Sequence, residues 1–166
     1  MGRARSAWQA FDWSYWVTNA WRSESAPPGV GLGDFRAGSY ALNNAFVQIA
    51  PCEKAFSGES QVHDPGATPV LADGAFCWVE FEPTVPIWNL DQPFFAVHLT
   101  ANNVVLARHG SPPNPVPTSW PLDQPLPGAA NVSFFDGHGE LVKLDRLWQL
   151  YWDRDYQPPA KRPGLP

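Results

Sequence analysis

Charged side chains are scarce in this sequence, and those present form no basic stripe. Asp, Glu, Lys and Arg make up 16% of the 166 residues, against roughly 25% in an average domain. The net charge is −5, and apart from Lys161-Arg162 the basic residues are scattered. A protein that binds a nucleic acid needs clustered cations to neutralise phosphates, so this pattern argues against nucleic-acid binding.

The sequence also lacks a long apolar run. No stretch approaches the roughly eighteen apolar residues that span a bilayer, and residues 1–6 lack the apolar core of a secretory signal. The length predicts one hydrophobic core in a single domain, residues 1–156, followed by a flexible tail, residues 157–166.

Cysteine is rare as well. Cys52 and Cys77 form no CxxC pair and have no nearby His pair, which disfavours a zinc site. A disulfide, contributing about 3 kcal/mol by the chain-entropy argument, and two buried free thiols both remain open.

Aromatic residues and proline are abundant, with 9 Trp, 10 Phe and 19 Pro. This composition favours a loop-rich fold that contains β-structure. Seven of the prolines lie in residues 111–127, which therefore cannot hold a regular helix or a central strand. That run, with Trp120 at its middle, is either a partner-facing loop or a decorated connection.

The pattern of apolar residues predicts several elements. Residues 40–49 read as a strand, and residues 69–81 as a second strand interrupted at Asp73-Gly74. Residues 131–135 and 140–144 predict a hairpin, because Asp136-Gly137 between two apolar runs is typical of a tight turn. Residues 144–152 repeat apolar side chains at helical spacing and predict a short helix that packs on the sheet.

Five short motifs occur in an order that resembles a known family. If residues 111–127 are set aside, nine residues separate His109 from Asp136-Gly137. This spacing resembles the prepilin-type processing-associated domain of bacterial pilin-like proteins. The other matches are Ser39-Tyr40-Ala-Leu-Asn43, Thr68-Pro-Val-Leu-Ala-Asp73, Arg108-His109-Gly110 and the closing Leu144-to-Trp152 segment.

The resemblance implies an α+β fold: a pilin-like globular head with an antiparallel sheet, long loops and a short C-terminal helix. It also implies export, processing by a prepilin peptidase, and assembly through an N-terminal helix with other pilins or with secretion components. The expected location is the cell envelope or the exterior. The leader and the apolar helix are not in this sequence, so we expect it to be a fragment or a trimmed form.

His109, Asp136 and His138 are the first candidates for chemistry. Asp136 and His138 are two positions apart, so on a continuing strand their side chains would share one face, and the predicted sheet could bring His109 beside them. Together the three could hold calcium or zinc. The alternative is that Asp136 caps the turn and His109 bonds a backbone carbonyl or the Asp136 carboxylate.

Two further pairs, His63-Asp64 and Asp73-Gly74, are predicted to form turns, because a carboxylate beside Gly usually does so. The sequence contains neither a nucleophile elbow nor a glycine-rich phosphate loop. We therefore expect no catalytic residues and no bound cofactor, and a structural role. Two alternatives are a secreted glycan-binding module that uses the aromatic side chains or the 111–127 loop, and a small metal-dependent hydrolase that uses the three candidate ligands.

Overall fold

The computed structural model describes residues 21–23, 36–38, 40–48, 52–74, 78–86, 90, 107, 109–114, 117 and 119–166. Strands β1 (Trp21–Ser23) and β2 (Arg36–Gly38) form an antiparallel pair. The other described strands form one five-stranded sheet. They are β3 (Tyr40–Asn43), β4 (Pro69–Asp73), β5 (Trp78–Val79), β6 (Ala129–Phe134) and β7 (Gly139–Lys143). None of the helices in the described ranges has the length and apolar character needed to cross a membrane.

The five-stranded sheet is mixed, with the order β5-β3-β4-β6-β7. Strands β3, β4, β6 and β7 pair antiparallel, but β5 runs parallel to β3. The prediction of an antiparallel sheet is therefore wrong at the β5 edge. The interruption predicted at Asp73-Gly74 is confirmed, since β4 ends at Asp73. A Cβ on Gly74 would lie 2.5 Å from the Cβ of Ala41, so only glycine fits this close approach.

Strand β3 ends earlier than predicted, and a helical turn, α1 (Asn44–Val47), follows it directly. Asn43 causes this change of direction. Its side-chain oxygen accepts a hydrogen bond from the Ala45 amide at 3.0 Å, which caps the helix. Its side-chain nitrogen donates to the carbonyls of Pro69 and Trp152 at 2.8 and 2.9 Å. A buried side chain that makes all three bonds fixes the end of the strand.

The predicted hairpin is confirmed. Strands β6 and β7 pair antiparallel from Ala129 opposite Lys143 to Ser133 opposite Gly139. At the turn Gly137 has a φ of +92°, a conformation that glycine adopts without strain. The pairing buries Val142 against the core.

The predicted C-terminal helix is shorter and more tightly wound than expected. A 3₁₀ helix covers Leu144–Gln149, and Leu150 is already extended. The backbone leaves the helix because the Tyr151 amide donates to the Ala67 carbonyl at 2.9 Å, outside the helix. Trp152 is nevertheless buried, so the apolar pattern predicted the packing but not the backbone that achieves it.

Most of the aromatic side chains that the structure describes are buried in the core. The Phe81 ring stacks on Trp152, with centroids 4.7 Å apart, and meets the edge of Trp148 at 5.1 Å. The indole nitrogens donate to the carbonyls of Leu147 and Val85. Such satisfied, buried indoles stabilise the core and are not available to stack on a sugar. A smaller apolar cluster includes Ala45, Phe56 and Val62.

The proline-rich run and the C-terminal tail are both anchored to the core. Leu126 is 6% exposed and belongs to the main core cluster, with Trp120 packed against it. Arg162, in the segment predicted to be a flexible tail, is 1% exposed and pairs with Asp145 at 2.7 Å. Both segments therefore make specific contacts with the main core or with the 3₁₀ helix. Only the tertiary structure supplies the partners that hold the two segments.

Candidate functional site: the open face of the sheet

The three predicted metal ligands lie in two separate pairs. His109 forms an isolated β-bridge with Ala129, at the first residue of β6. Asp136 and His138 lie in the turn beyond the other end of that strand. At roughly 3.4 Å per residue the two ends of β6 are about 17 Å apart. The structure does not bring the predicted set together, and in the described ranges no group of three His, Cys, Asp or Glu is placed to hold a metal ion.

Asp136 and His138 form a turn, as the structural alternative predicted. One carboxylate oxygen of Asp136 accepts the His138 backbone amide at 3.1 Å and lies 2.6 Å from the ring nitrogen Nδ1 of His138. The hydrogen bond from the His138 side chain is the main cause that lowers the pKa of Asp136. The His138 ring also stacks on Phe134, with centroids 4.4 Å apart. All of these contacts close the hairpin.

The carboxylate partner of His109 is Asp73 and not Asp136. His109 Nε2 lies 3.2 Å from Asp73 Oδ2 and 3.0 Å from Asn131 Nδ2. The Asn131 backbone amide donates to the same Asp73 oxygen at 2.6 Å. The Asp73 side chain is 4% exposed, whereas that of His109 is 43% exposed. A buried carboxylate therefore orients an imidazole whose Nε2 can donate to Asp73 or accept from Asn131, depending on its protonation.

The remaining candidates mostly have local structural roles. Asp64 accepts the Gly66 amide at 3.1 Å and caps a 3₁₀ turn (Pro65–Ala67), so its predicted turn role is confirmed. His63 Nε2 lies 3.2 Å from the Arg154 carbonyl. Cys52 is a half-buried free thiol whose pKa is raised chiefly by burial and next by the charge of Glu80. Its possible disulfide partner, Cys77, lies outside the described residues.

The sheet has one face on the core and one face that we call the open face. Along β6, Ala130, Val132 and Phe134 are buried in the core, while Asn131 and Ser133 alternate with them on the other side. The same alternation places exposed or half-buried apolar side chains from three other strands on the open face. They are Tyr40, Leu42, Leu71 and Leu141.

The open face is concave and amphipathic. A depression of about 370 Å³ is lined in part by Tyr40, Leu71, Asn131, Ser133 and Leu141. Tyr40 is 52% exposed and Leu141 is 51% exposed, so two large apolar side chains lie at the surface. The Asp73–His109 pair lies at one end of this face, since Asp73 contacts Asn131 directly. The arrangement suits contact with an apolar surface that is bounded by polar groups.

Comparisons of the chain with protein-family models, with curated proteins and with solved structures give no match.

His109, Asp73 and the hairpin turn are recognisable in the sequence, but the pairing of His109 with Asp73 is not. Asn131 and Asp145 are not recognisable in the sequence as partners of these or other charged groups. The sequence places Asn131 on a predicted strand, but no neighbouring residue indicates that its side chain contacts His109. The sequence does place Asp145 in the first turn of the predicted helix. Acidic residues are favourable at that position in any helix, so this placement does not predict that Asp145 is paired with Arg162.

Proposed function

We propose that this chain is the globular head of a pilin-like or pseudopilin-like structural subunit and that its open face packs against an apolar helix. The observation that carries this proposal is the pair of exposed apolar side chains, Tyr40 and Leu141, on a sheet whose other face is buried. The five motifs of the sequence support the same class of protein. The role is structural, without turnover.

The chemistry of the face supports a helix as its occupant. Tyr40 and Leu42 on β3 adjoin Leu71 on β4, and Leu141 lies on β7 beyond the polar side chains of β6. The face therefore carries apolar side chains on three strands. An amphipathic or apolar helix buries its own stripe by lying across such a surface. In the proposed full-length subunit this helix precedes the head, and its remaining length joins neighbouring subunits into a filament or an envelope apparatus.

The first test is to identify the native protein in its source cells. Mass spectrometry of the cell-envelope fraction should find peptides of this chain joined to an upstream, in-frame apolar segment. A native protein that begins at Met1 and fractionates away from the envelope would contradict the proposal.

The second test changes the face itself. In the native gene, Leu141→Lys should release the protein from the envelope or filament fraction, because it places a charge in the proposed helix contact. Val47→Lys is the matched control, since Val47 is 40% exposed but does not line the depression on the open face. Equal recovery of both variants with the envelope would contradict the role of the face.

A glycan-binding module is the second candidate, and one observation favours it. Exposed Tyr40 lies beside the polar side chains of Asn131 and Ser133 in the same depression, a combination that can stack on a sugar and bond its hydroxyls. Glycan-array binding that Tyr40→Ala abolishes would favour this candidate over the helix contact.

A further inference from the structure

The guanidinium of Arg162 lies in a polar cage. Its Nε donates to Asp145 Oδ1 at 2.7 Å. Its Nη2 donates to the carbonyls of Leu122 at 3.0 Å and Gln124 at 2.7 Å, and its Nη1 donates to the carbonyl of Pro163 at 3.0 Å. The side chain is fully buried. A buried guanidinium is stable only where acceptors replace its lost water, and here a carboxylate and three carbonyls do so.

Two distant segments build the cage. Leu122 and Gln124 belong to the proline-rich run, whereas Asp145 and Trp148 belong to the 3₁₀ helix that follows β7. The Trp148 ring lies 5.9 Å from the guanidinium carbon, within the range of a cation–π contact. The Asp145 carboxylate also accepts the backbone amide of Leu126, at 3.1 and 3.0 Å from its two oxygens. The carboxylate thus holds the proline-rich run and the arginine at the same time.

The geometry of the acceptors selects arginine. A guanidinium directs five N–H donors in a planar fork, which matches a carboxylate on one side and two carbonyls on the other. A lysine ammonium has three donors on one atom and cannot reach acceptors spread around the cage. The site is therefore specific for a guanidinium and not for positive charge alone.

The rest of the tail fits the same surface. Gly164 has a φ of +95°, and a Cβ at this position would lie 2.9 Å from the Leu122 carbonyl oxygen. Gln149 donates to the Ala160 carbonyl at 2.8 Å. The tail therefore contacts the 3₁₀ helix before Arg162 and the proline-rich run after it.

We infer that Leu122, Gln124, Asp145 and Trp148 form a binding site for an arginine-containing peptide, which the chain fills with its own C-terminal tail. The tail acts as an intramolecular ligand that holds the proline-rich run against the 3₁₀ helix.

The test uses the full chain with Arg162→Ala, which removes the guanidinium from the cage and keeps the rest of the sequence. Thermal unfolding is followed by tryptophan fluorescence with added N-ethylguanidinium, and with ethylammonium at the same ionic strength. We expect a saturable rise in melting temperature with N-ethylguanidinium, of roughly 2 °C at about three times its dissociation constant. Ethylammonium should produce no such rise. The double variant Arg162→Ala/Asp145→Asn should lose the response.

Arg154→Ala is the matched control, because the Arg154 side chain is 37% exposed and pairs with Asp155 at the surface. It should show no response to N-ethylguanidinium. Absence of a saturable rise in Arg162→Ala, or an equal rise with ethylammonium, overturns the inference. If Arg162→Ala does not fold, Arg162→Lys is used instead. The inference requires Arg162→Lys to melt at a lower temperature than the unchanged protein. Equal melting temperatures of the two proteins overturn the inference.

Discussion

Leu126→Ala should destabilise the protein strongly, although the residue lies in a proline-rich run that the sequence presents as an insertion. Leu126 is 6% exposed and packs in the main core cluster. Truncation of a buried leucine costs about 2 to 5 kcal/mol, because burial of the side chain is lost and a cavity remains. We expect a loss of at least about 3.5 kcal/mol, the middle of this range, because the Asp145 carboxylate still holds the residue 126 amide and limits the relaxation that would fill the cavity.

Leu122→Ala is the control, since Leu122 lies in the same run but is 37% exposed. A change at such a surface position is usually within about 0.5 kcal/mol. For a protein of this size each kcal/mol shifts the melting temperature by roughly 2 to 4 °C. Urea unfolding followed by tryptophan fluorescence measures both free energies. Midpoints for Leu126→Ala and the unchanged protein that agree within error would refute the assignment of this run to the core.

Three further predictions follow from single contacts. Gly164→Ala should destabilise the protein more than Gly137→Ala in urea unfolding, because both have positive φ but only Gly164 has an atom, the Leu122 oxygen, at 2.9 Å from the new Cβ; a larger loss in Gly137→Ala would contradict this. The lowered pKa of Asp136 means that its contribution to stability is complete above its ordinary pKa of 3.8 and is lost as the pH falls through the lower folded value. The stability difference between the unchanged protein and Asp136→Asn should therefore shrink on acidification below that pH, and a pH-independent difference would exclude the linkage. Asn43→Ala should cost about 2 to 4 kcal/mol in calorimetry, because it removes a helix cap and leaves two buried carbonyls without their donor; a loss below about 1 kcal/mol would show that water replaces the amide.

The hairpin could be predicted because its signals are local. Asp136-Gly137 specifies a turn, and the apolar alternation on either side specifies which faces of β6 and β7 are buried. The carboxylate cap of that turn involves residues two positions apart, so its geometry also follows from the sequence. The grouping of His109 with Asp136 and His138 differs, because it required His109 to meet residues beyond the far end of β6, and no local signal specifies such a contact.

The candidate site depended on register. Asp73 and His109 are 36 positions apart in the chain, and their contact exists only because β4 and the His109 bridge both flank β6. The alternation of apolar and polar residues along each strand predicts only which side chains share a face of that strand. Which strands lie side by side, and hence that Tyr40, Leu71 and Leu141 share a depression, follows from the strand order.

The sequence by itself determined the local structure of this protein: the glycine turn, the break at Asp73-Gly74, the apolar residues that enter the core, and the proline run that excludes regular structure. Tertiary structure alone decided the parallel β5, the 3₁₀ form of the last helix, and the burial of Arg162. The physical reason is the range of the forces. Turn and strand preferences act between neighbours in the chain, whereas the energy of a buried charge or a close backbone approach depends on atoms that only folding brings near.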